Sequence, residues 1–314
     1  MFFFIDLFIV ILIIILVVLI LCGHTTLCER RILAIVQLRI GPALFFFGIL
    51  TPITDGIKLF LKFTLFVVGF DGIYLIIALL VTTFCMFIGW LFFPIGYIIL
   101  LDNGFTVFLM LFLHILINVC SVFWVGFFLF SSCFVYMSAM RVLFFSIISE
   151  SSMLMLFLIS FLLDNFSMLS IKDVSIGQLY INNFFLGGIL FVGLFWICLL
   201  IDGLRIPFDY MECESELVAG LITELSGFFF VIYSILETSH LLLSTILLAC
   251  FCFGGLFVCF KSLIILIVCF FFPRVIGFRL KITTAQTFII LFLFIMCFLL
   301  FNWLAITKLI SLCF

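Results

Sequence analysis

Eight apolar runs divide this chain, at 3–22, 73–100, 105–135, 144–163, 183–201, 219–245, 251–272 and 287–306. Each holds about 20 residues or more, enough for a helix to cross the roughly 30 Å hydrocarbon layer of a bilayer. No water in that layer can satisfy a free backbone N–H or C=O, so such runs must be helical. The chain is 68% hydrophobic and 9% charged, with a mean hydropathy of +1.64, more apolar than any soluble core requires. There is no linker and no break in composition. The sequence therefore predicts an all-α polytopic membrane protein, with about eight transmembrane helices in a single domain over residues 1–314. The run at its start lacks a basic leader and a small-residue cleavage motif, and is expected to be a span rather than a removed signal.

The charges orient the bundle. Of 13 Lys and Arg, ten fall on one side of the predicted spans: Arg30, Arg31, Arg39, Lys58, Lys62, Arg141, Arg205, Arg274, Arg279 and Lys281. Lys172, Lys261 and Lys308 fall on the other. Basic loops stay on the side of synthesis, so the ten-residue face is matrix or cytoplasm and both termini point away from it. The net charge of −2 offers nothing to nucleic acid. The 13 cysteines mostly sit singly in apolar runs, as small polarizable fillers, and no CxxC spacing suggests a metal or iron–sulfur site. Within the long basic connection, Thr51-Pro52 is a helix start. Ile53, Ile57, Phe60, Leu61 and Leu65 follow near helical spacing, interrupted by Asp55, Lys58 and Lys62. That pattern predicts an amphipathic helix lying at the membrane interface.

Acidic residues are concentrated where apolar residues should dominate. Asp202 to Glu224 reads DGLRIPFDYMECESELVAGLITE, with six carboxylates and one arginine in 23 residues. Ionisable groups in a bilayer cost several kcal/mol each and usually mark function. Pro207 rules out a regular helix through the turn before it, so Asp202 to Asp209 is a loop. Glu212 and Glu216 are four apart and repel as neighbours on one helix face. Glu224 and Glu237 continue into apolar sequence, and the series reads as a proton path. Arg141 and Glu150 are nine residues apart on one predicted helix, too far to pair. At 1.5 Å per residue Glu150 lies about 13 Å deeper. It is either a helix-end carboxylate or a member of the proton path. His24, His114 and His240 stand apart in sequence, without the repeated spacing of a haem-binding bundle. His114 and His240 read as hydrogen-bonded helix residues.

Four stretches together carry a resemblance. They are Glu29–Pro42 (ERRILAIVQLRIGP), Thr51–Phe60, Arg141 with Glu150, and the acidic segment 202–224. From about Glu29 to Glu237 the chain resembles chain 1 of the proton-pumping NADH:ubiquinone oxidoreductases, respiratory complex I. The RxPFD…ExESELV pattern is the most specific part. The resemblance implies a core membrane subunit that encloses part of the quinone chamber and couples quinone reduction to proton translocation. It implies that Gln37, Arg39, Asp55 and Lys58 line or shape the quinone entrance. Arg205, Phe208, Asp209, Glu212, Glu214 and Glu216 form the acidic loop beneath the headgroup. Arg141, Glu150, Asp202, Glu224 and Glu237 belong with that loop's glutamates to the proton path.

The chain itself is expected to bind no redox cofactor or metal. Ubiquinone is the substrate, while NADH, FMN and the iron–sulfur clusters are held by partner subunits. Partners are the peripheral quinone-site subunits, the antiporter-like membrane subunits and lipid. The location implied is the mitochondrial inner membrane, with both termini in the intermembrane space. The sequence departs from the pattern in places. Ile40 and Ala43 stand where the family reads Lys and Asn, Asp202 replaces a Glu, and Phe63 and Leu65 replace a charged segment containing Pro. The spacing after Arg274 also differs, and no role is carried over there. Two other readings use the same carboxylates: the membrane subunit of a proton-translocating hydrogenase, and a secondary transporter or antiporter. The transporter reading calls for internal repeats, which are not found.

Overall fold

A computed structural model describes residues 2–43, 48–63, 72–92, 109, 112–114, 116–117, 133–163, 185–209, 225–253 and 258–313. Every regular element among these is helical. Helix α1 is Phe2–Val36, α2 is Thr51–Phe60, α3 is Gly72–Leu91, α4 is Cys133–Leu163, α5 is Phe185–Asp202 and α6 is Phe228–Cys252. Helix α7 runs through Val258–Ile265, widens to a π-helical stretch at Leu266–Phe271 and closes at Phe272–Ile276. Helix α8 has the same construction: Ile282–Thr287, a π stretch Phe288–Phe294, then Ile295–Cys313.

Four helices among the described residues are long and apolar enough to cross a membrane: Ile9–Val36, Cys133–Ile159, Phe228–Cys252 and Ile282–Trp303. Leu75–Leu91 and Leu190–Asp202 are shorter apolar helices. Most of the expected run 105–135, and residues 210–224, lie outside the described residues.

Helix α6 is the centre of the bundle. In its membrane-length window 83% of residues are buried, against 11% for α1, so α6 is surrounded by protein and α1 is peripheral. Helix α6 packs on α1, α2, α3, α5 and α7, while α4 packs on α5 and α8. Trp196 on α5 donates its indole N–H to the carbonyl of Cys269 at 2.9 Å, in the widened turn of α7. The core between these helices is largely Leu, Phe and Ile, with Phe157 set edge-on to Phe195 and Phe251.

Two helices run past the limits expected from hydropathy. Helix α1 does not stop at residue 22 but continues through Glu29-Arg30-Arg31 to Val36. Its length is about 50 Å at 1.5 Å per residue, so it outruns the bilayer. Likewise α4 begins at Cys133 and includes the stretch around Arg141 that was expected to be a connection. A charge ends an apolar run, but it does not end a helix. Residues 24–36 and 133–143 contain no Gly or Pro to break the backbone. The segment Cys133–Leu163 is therefore one helix, not the end of one span and the start of another.

Helix α6 begins at Phe228, with residues 225–227 outside it, while residues 219–224 of the expected run lie outside the described residues. Gly227 has φ +50°, and a Cβ there would meet the carbonyl oxygen of Lys62 at 3.0 Å. Few residues but glycine adopt that backbone, and none with a side chain fits the space. The turn lets α6 start against the end of α2, where Phe60 and Phe228 ring centroids are 5.4 Å apart. Helix α2 forms where Thr51-Pro52 marks its start, and Pro52 sits 3.2 Å from where a Cβ on Gly23 would lie. A bulkier residue at position 23 would push α2 off α1. None of the residues of α2 is buried, and Ile53, Ile57 and Phe60 are more than half exposed.

Gly227→Val should destabilise the fold by about 2 kcal/mol through backbone strain and crowding. A lowered thermal unfolding midpoint of the detergent-solubilised protein would register it; an unchanged midpoint would mean the turn tolerates a side chain.

Candidate functional site

Four charged side chains from four separate elements meet on one side of the bundle. Helix α5 ends at Asp202, and a tight turn follows in which the Arg205 carbonyl accepts the Phe208 N–H at 2.8 Å. This turn aims Arg205 inward, where it is 9% exposed. Its Nη1 lies 3.1 Å from Glu29 Oε1 on α1, and its Nη2 lies 3.4 Å from Glu237 Oε1 on α6. Arg274, at the end of α7, donates to the same Glu29 oxygen. Two guanidinium groups thus face two carboxylates, and the cluster is balanced. Arginine suits this position because its planar fork can serve two acceptors at once and stays charged. A charge in such surroundings is tolerated only when paired and hydrogen-bonded.

A second polar group adjoins the first. Asp202 is 3% exposed, and the Ser149 hydroxyl on α4 donates to its Oδ1. Glu150 follows Ser149 and lies within electrostatic reach of Asp202. Its Oε1 is buried with no hydrogen-bond partner among the described residues. Between Asp202 and Glu237 is a cavity of about 20 Å³, lined also by Tyr233 and His240, with room for about one water. The order in space is therefore Glu150, Asp202, cavity, Glu237, Arg205, Glu29, Arg274.

The remaining expected residues lie elsewhere. Gln37 and Arg39 are exposed in the turn after α1, and Lys58 is exposed on α2. Asp55 pairs with Arg30 at 2.8 Å, with both side chains about half exposed. Phe208 is 4% exposed and stacks on Phe288 at 6.4 Å, so it is core. Asp209 pairs with Arg279 at 2.9 Å. Arg141 is half-buried on α4, a helix away from the cluster around Arg205. Glu212, Glu214, Glu216 and Glu224 lie outside the described residues. Among the described residues no group of three or more His, Cys, Asp or Glu is arranged to hold a metal ion.

A sequence profile of the NADH dehydrogenase family matches residues 8–313. The chain belongs to that family. It is 64% identical over 310 residues to NADH-ubiquinone oxidoreductase chain 1 of Leishmania tarentolae, covering 99% of both chains. Chain 1 of Mytilus edulis is 31% identical over 244 residues, 76% of each chain. A subunit of the NADH-quinone oxidoreductase of Rickettsia conorii is 32% identical over 248 residues, 76% of this chain and 70% of that one.

Three features of this NADH dehydrogenase family chain escaped the sequence. Glu29 lay inside a motif that reads equally well as a basic membrane flank, and only the fold turns it toward Arg205. Arg274 and Arg279 lie at the edge of or beyond the last recognisable spacing, yet Arg274 pairs with Glu29 and Arg279 with Asp209 of the acidic loop. The Leu280 N–H also donates to the Pro207 carbonyl at 3.3 Å, which ties the two loops together. Finally, His114 and His240 are not separate, since their ring centroids are 4.2 Å apart.

Burial separates the two kinds of ion pair. Arg205→Met should destabilise the protein by about 3 kcal/mol, because it removes the arginine paired with Glu237 and one of the two paired with Glu29. Arg30→Met, in the exposed pair with Asp55, should cost at most about 1 kcal/mol. Thermal midpoints of the two variants in the same detergent test the contrast; equal shifts would refute it.

Proposed function

We propose that this chain is the core membrane subunit of a proton-pumping NADH:ubiquinone oxidoreductase. In this reading it helps enclose the quinone chamber and couples quinone reduction to proton translocation through its buried carboxylates. The observation that carries it is the chain of groups from Glu150 through Asp202 and Glu237 to the Arg205–Glu29–Arg274 cluster, in a chain nearly two-thirds identical to a named chain 1. The related hydrogenase subunit and the secondary transporter are not favoured, because the relatives named above are all quinone oxidoreductase subunits.

The loops carrying Gln37, Arg39, Asp55, Lys58, Arg205, Phe208 and Asp209 form the quinone-facing side. The exposed Gln37, Arg39 and Lys58, and the uncovered apolar residues of α2, are available to partner subunits and membrane. This placement supports α2 as an amphipathic helix at the interface, in a single membrane domain of about eight spans. Substrate enters as ubiquinone. NADH, FMN and the iron–sulfur clusters are held by peripheral subunits, and the antiporter-like subunits adjoin the bundle. The location is the mitochondrial inner membrane, with the basic loops in the matrix and both termini in the intermembrane space.

Coupling follows from electrostatics. Reduction of quinone creates a demand for protons next to the acidic loop. Protonation of a carboxylate in the Arg205 cluster upsets its balance of two positive and two negative groups. The charge shift is felt by Glu237, and across the cavity by Asp202 and Glu150. In a medium of low polarity such shifts are screened weakly. Glu212, Glu214, Glu216 and Glu224 supply the loop end of this path, and Arg141 holds the basic side of α4.

Native electrophoresis of gently solubilised membranes should place the chain in a large NADH-oxidising band, whereas confinement to a small, NADH-inactive particle would refute the assignment. Glu214→Gln, Glu224→Gln and Glu237→Gln should each lower quinone-linked turnover by about tenfold or more, on the scale of losing one positioned proton-transfer group. NADH oxidation by artificial acceptors should persist. Normal turnover and pumping in all three would dispose of the carboxylate path. Arg205→Ala should raise the apparent KM for quinone, and an unchanged KM would remove Arg205 from the quinone-facing set.

A further inference from the structure

The cavity between Asp202 and Glu237 has a third ionisable wall, the imidazole of His240 on α6. His240 is 6% exposed, and His114 is 4% exposed. The Nε2 atoms of both are buried with no hydrogen-bond partner among the described residues. Buried polar atoms are nearly always paired, so two adjacent orphans call for an explanation. The rings lie 31° from parallel with centroids 4.2 Å apart, so each fixes the other's plane. In neutral imidazole one nitrogen donates while the other accepts, so an unpartnered Nε2 can serve as an acceptor.

Among the described residues the ionisable groups around this ring are few. Asp202 comes from α5, Glu237 and Tyr233 from α6 itself, and His114 from the segment 112–114. Arg205 and Glu29 reach the ring only through Glu237. Two carboxyl side chains and the His240 imidazole thus line a space the size of one water, which has enough partners to be held there.

We propose that His240 is a proton-relay residue between Asp202 and Glu237, with His114 as its positioning residue. The proposal rests on the carboxylate path described above. Protonated Asp202 gives its proton to the cavity water, which passes one of its own to His240 Nε2. Asp202 becomes a carboxylate and the ring an imidazolium. The imidazolium then returns the proton through the same water to the Glu237 carboxylate, and the ring is neutral again. Every bond formed is matched by one broken, and no oxidant or reductant is needed. His114 holds the ring in place through the contact of the two imidazoles. The two rings are too close for both to carry charge, so the station passes one proton at a time. An isolated neutral histidine in a helix would do none of this; the pairing and the shared cavity distinguish the two.

The test uses the assembled complex in sealed membrane vesicles, comparing His240→Gln, His114→Gln and Glu237→Gln. NADH-driven proton uptake and quinone-linked turnover are measured together, with artificial-acceptor activity as the control. Gln keeps size and hydrogen bonding but cannot carry a proton. His240→Gln is expected to retain acceptor activity and to lose about tenfold in coupled proton transfer, the scale of a single general acid–base group. His114→Gln should lower the protons moved per NADH, a ratio that a merely structural role would leave unchanged. Wild-type pumping in His240→Gln with Glu237→Gln blocked would overturn the relay and leave the path standing. Wild-type pumping in both would overturn the path and the relay with it. Failure of both histidine variants to assemble would also count against the relay, since it would make the pair a packing element.

Discussion

Arg205 determines the arrangement of the membrane face around it. One guanidinium reaches two carboxylates that are 208 residues apart in sequence, Glu29 and Glu237, and Arg274 completes the balance. A buried charge without partners is several times costlier than a typical point mutation. Four elements must therefore converge: the extension of α1, the turn after α5, the third turn of α6 and the end of α7. Removing any one upsets the balance of charge in the cluster. The same requirement explains why α1 stays helical beyond its apolar run. Only a helix carried past residue 22 brings Glu29 to Arg205.

Convergence needs backbone freedom at a few points and rigidity elsewhere. Gly227 lets α6 start against α2, and this start places Glu237 opposite Arg205. Gly23 lets Pro52 approach α1 and seats α2. Between these points the helices are held by apolar packing around α6. The ionisable residues of the site follow a narrow track from Glu150 and Asp202 to the cluster. Charges confined in this way, in a low-dielectric setting, feel one another over distances that water would screen.

Much of the site could be read from the sequence, for reasons specific to each residue. Asp202, Arg205, Asp209 and Glu237 stood out because ionisable residues in or beside apolar runs are costly and hence informative. Pro207 correctly marked the loop. The start of α2 followed from Thr51-Pro52. Glu29 is more than a simple basic flank needs, but its motif does not show that it faces Arg205, because that contact spans 176 residues. Arg274 and Arg279 were passed over because their spacing departs from the family's, yet spacing along a loop says little about where its side chains end. The boundaries of α1 and α4 were misjudged because hydropathy reports the solvent around a segment, whereas a helix is ended by its backbone.

By itself, the sequence determined the class of fold, the membrane environment and the family. These depend on summed composition, on charge asymmetry and on a long local motif, none of which needs a partner in space. Only the tertiary structure decided which charges pair, which carboxylates border a common cavity and that two histidines in different segments stack. Those outcomes depend on contacts between residues up to 245 positions apart, such as Arg274 with Glu29. No local pattern encodes such a contact. It arises because every buried polar group must find a partner, and the packed helices leave few places where it can.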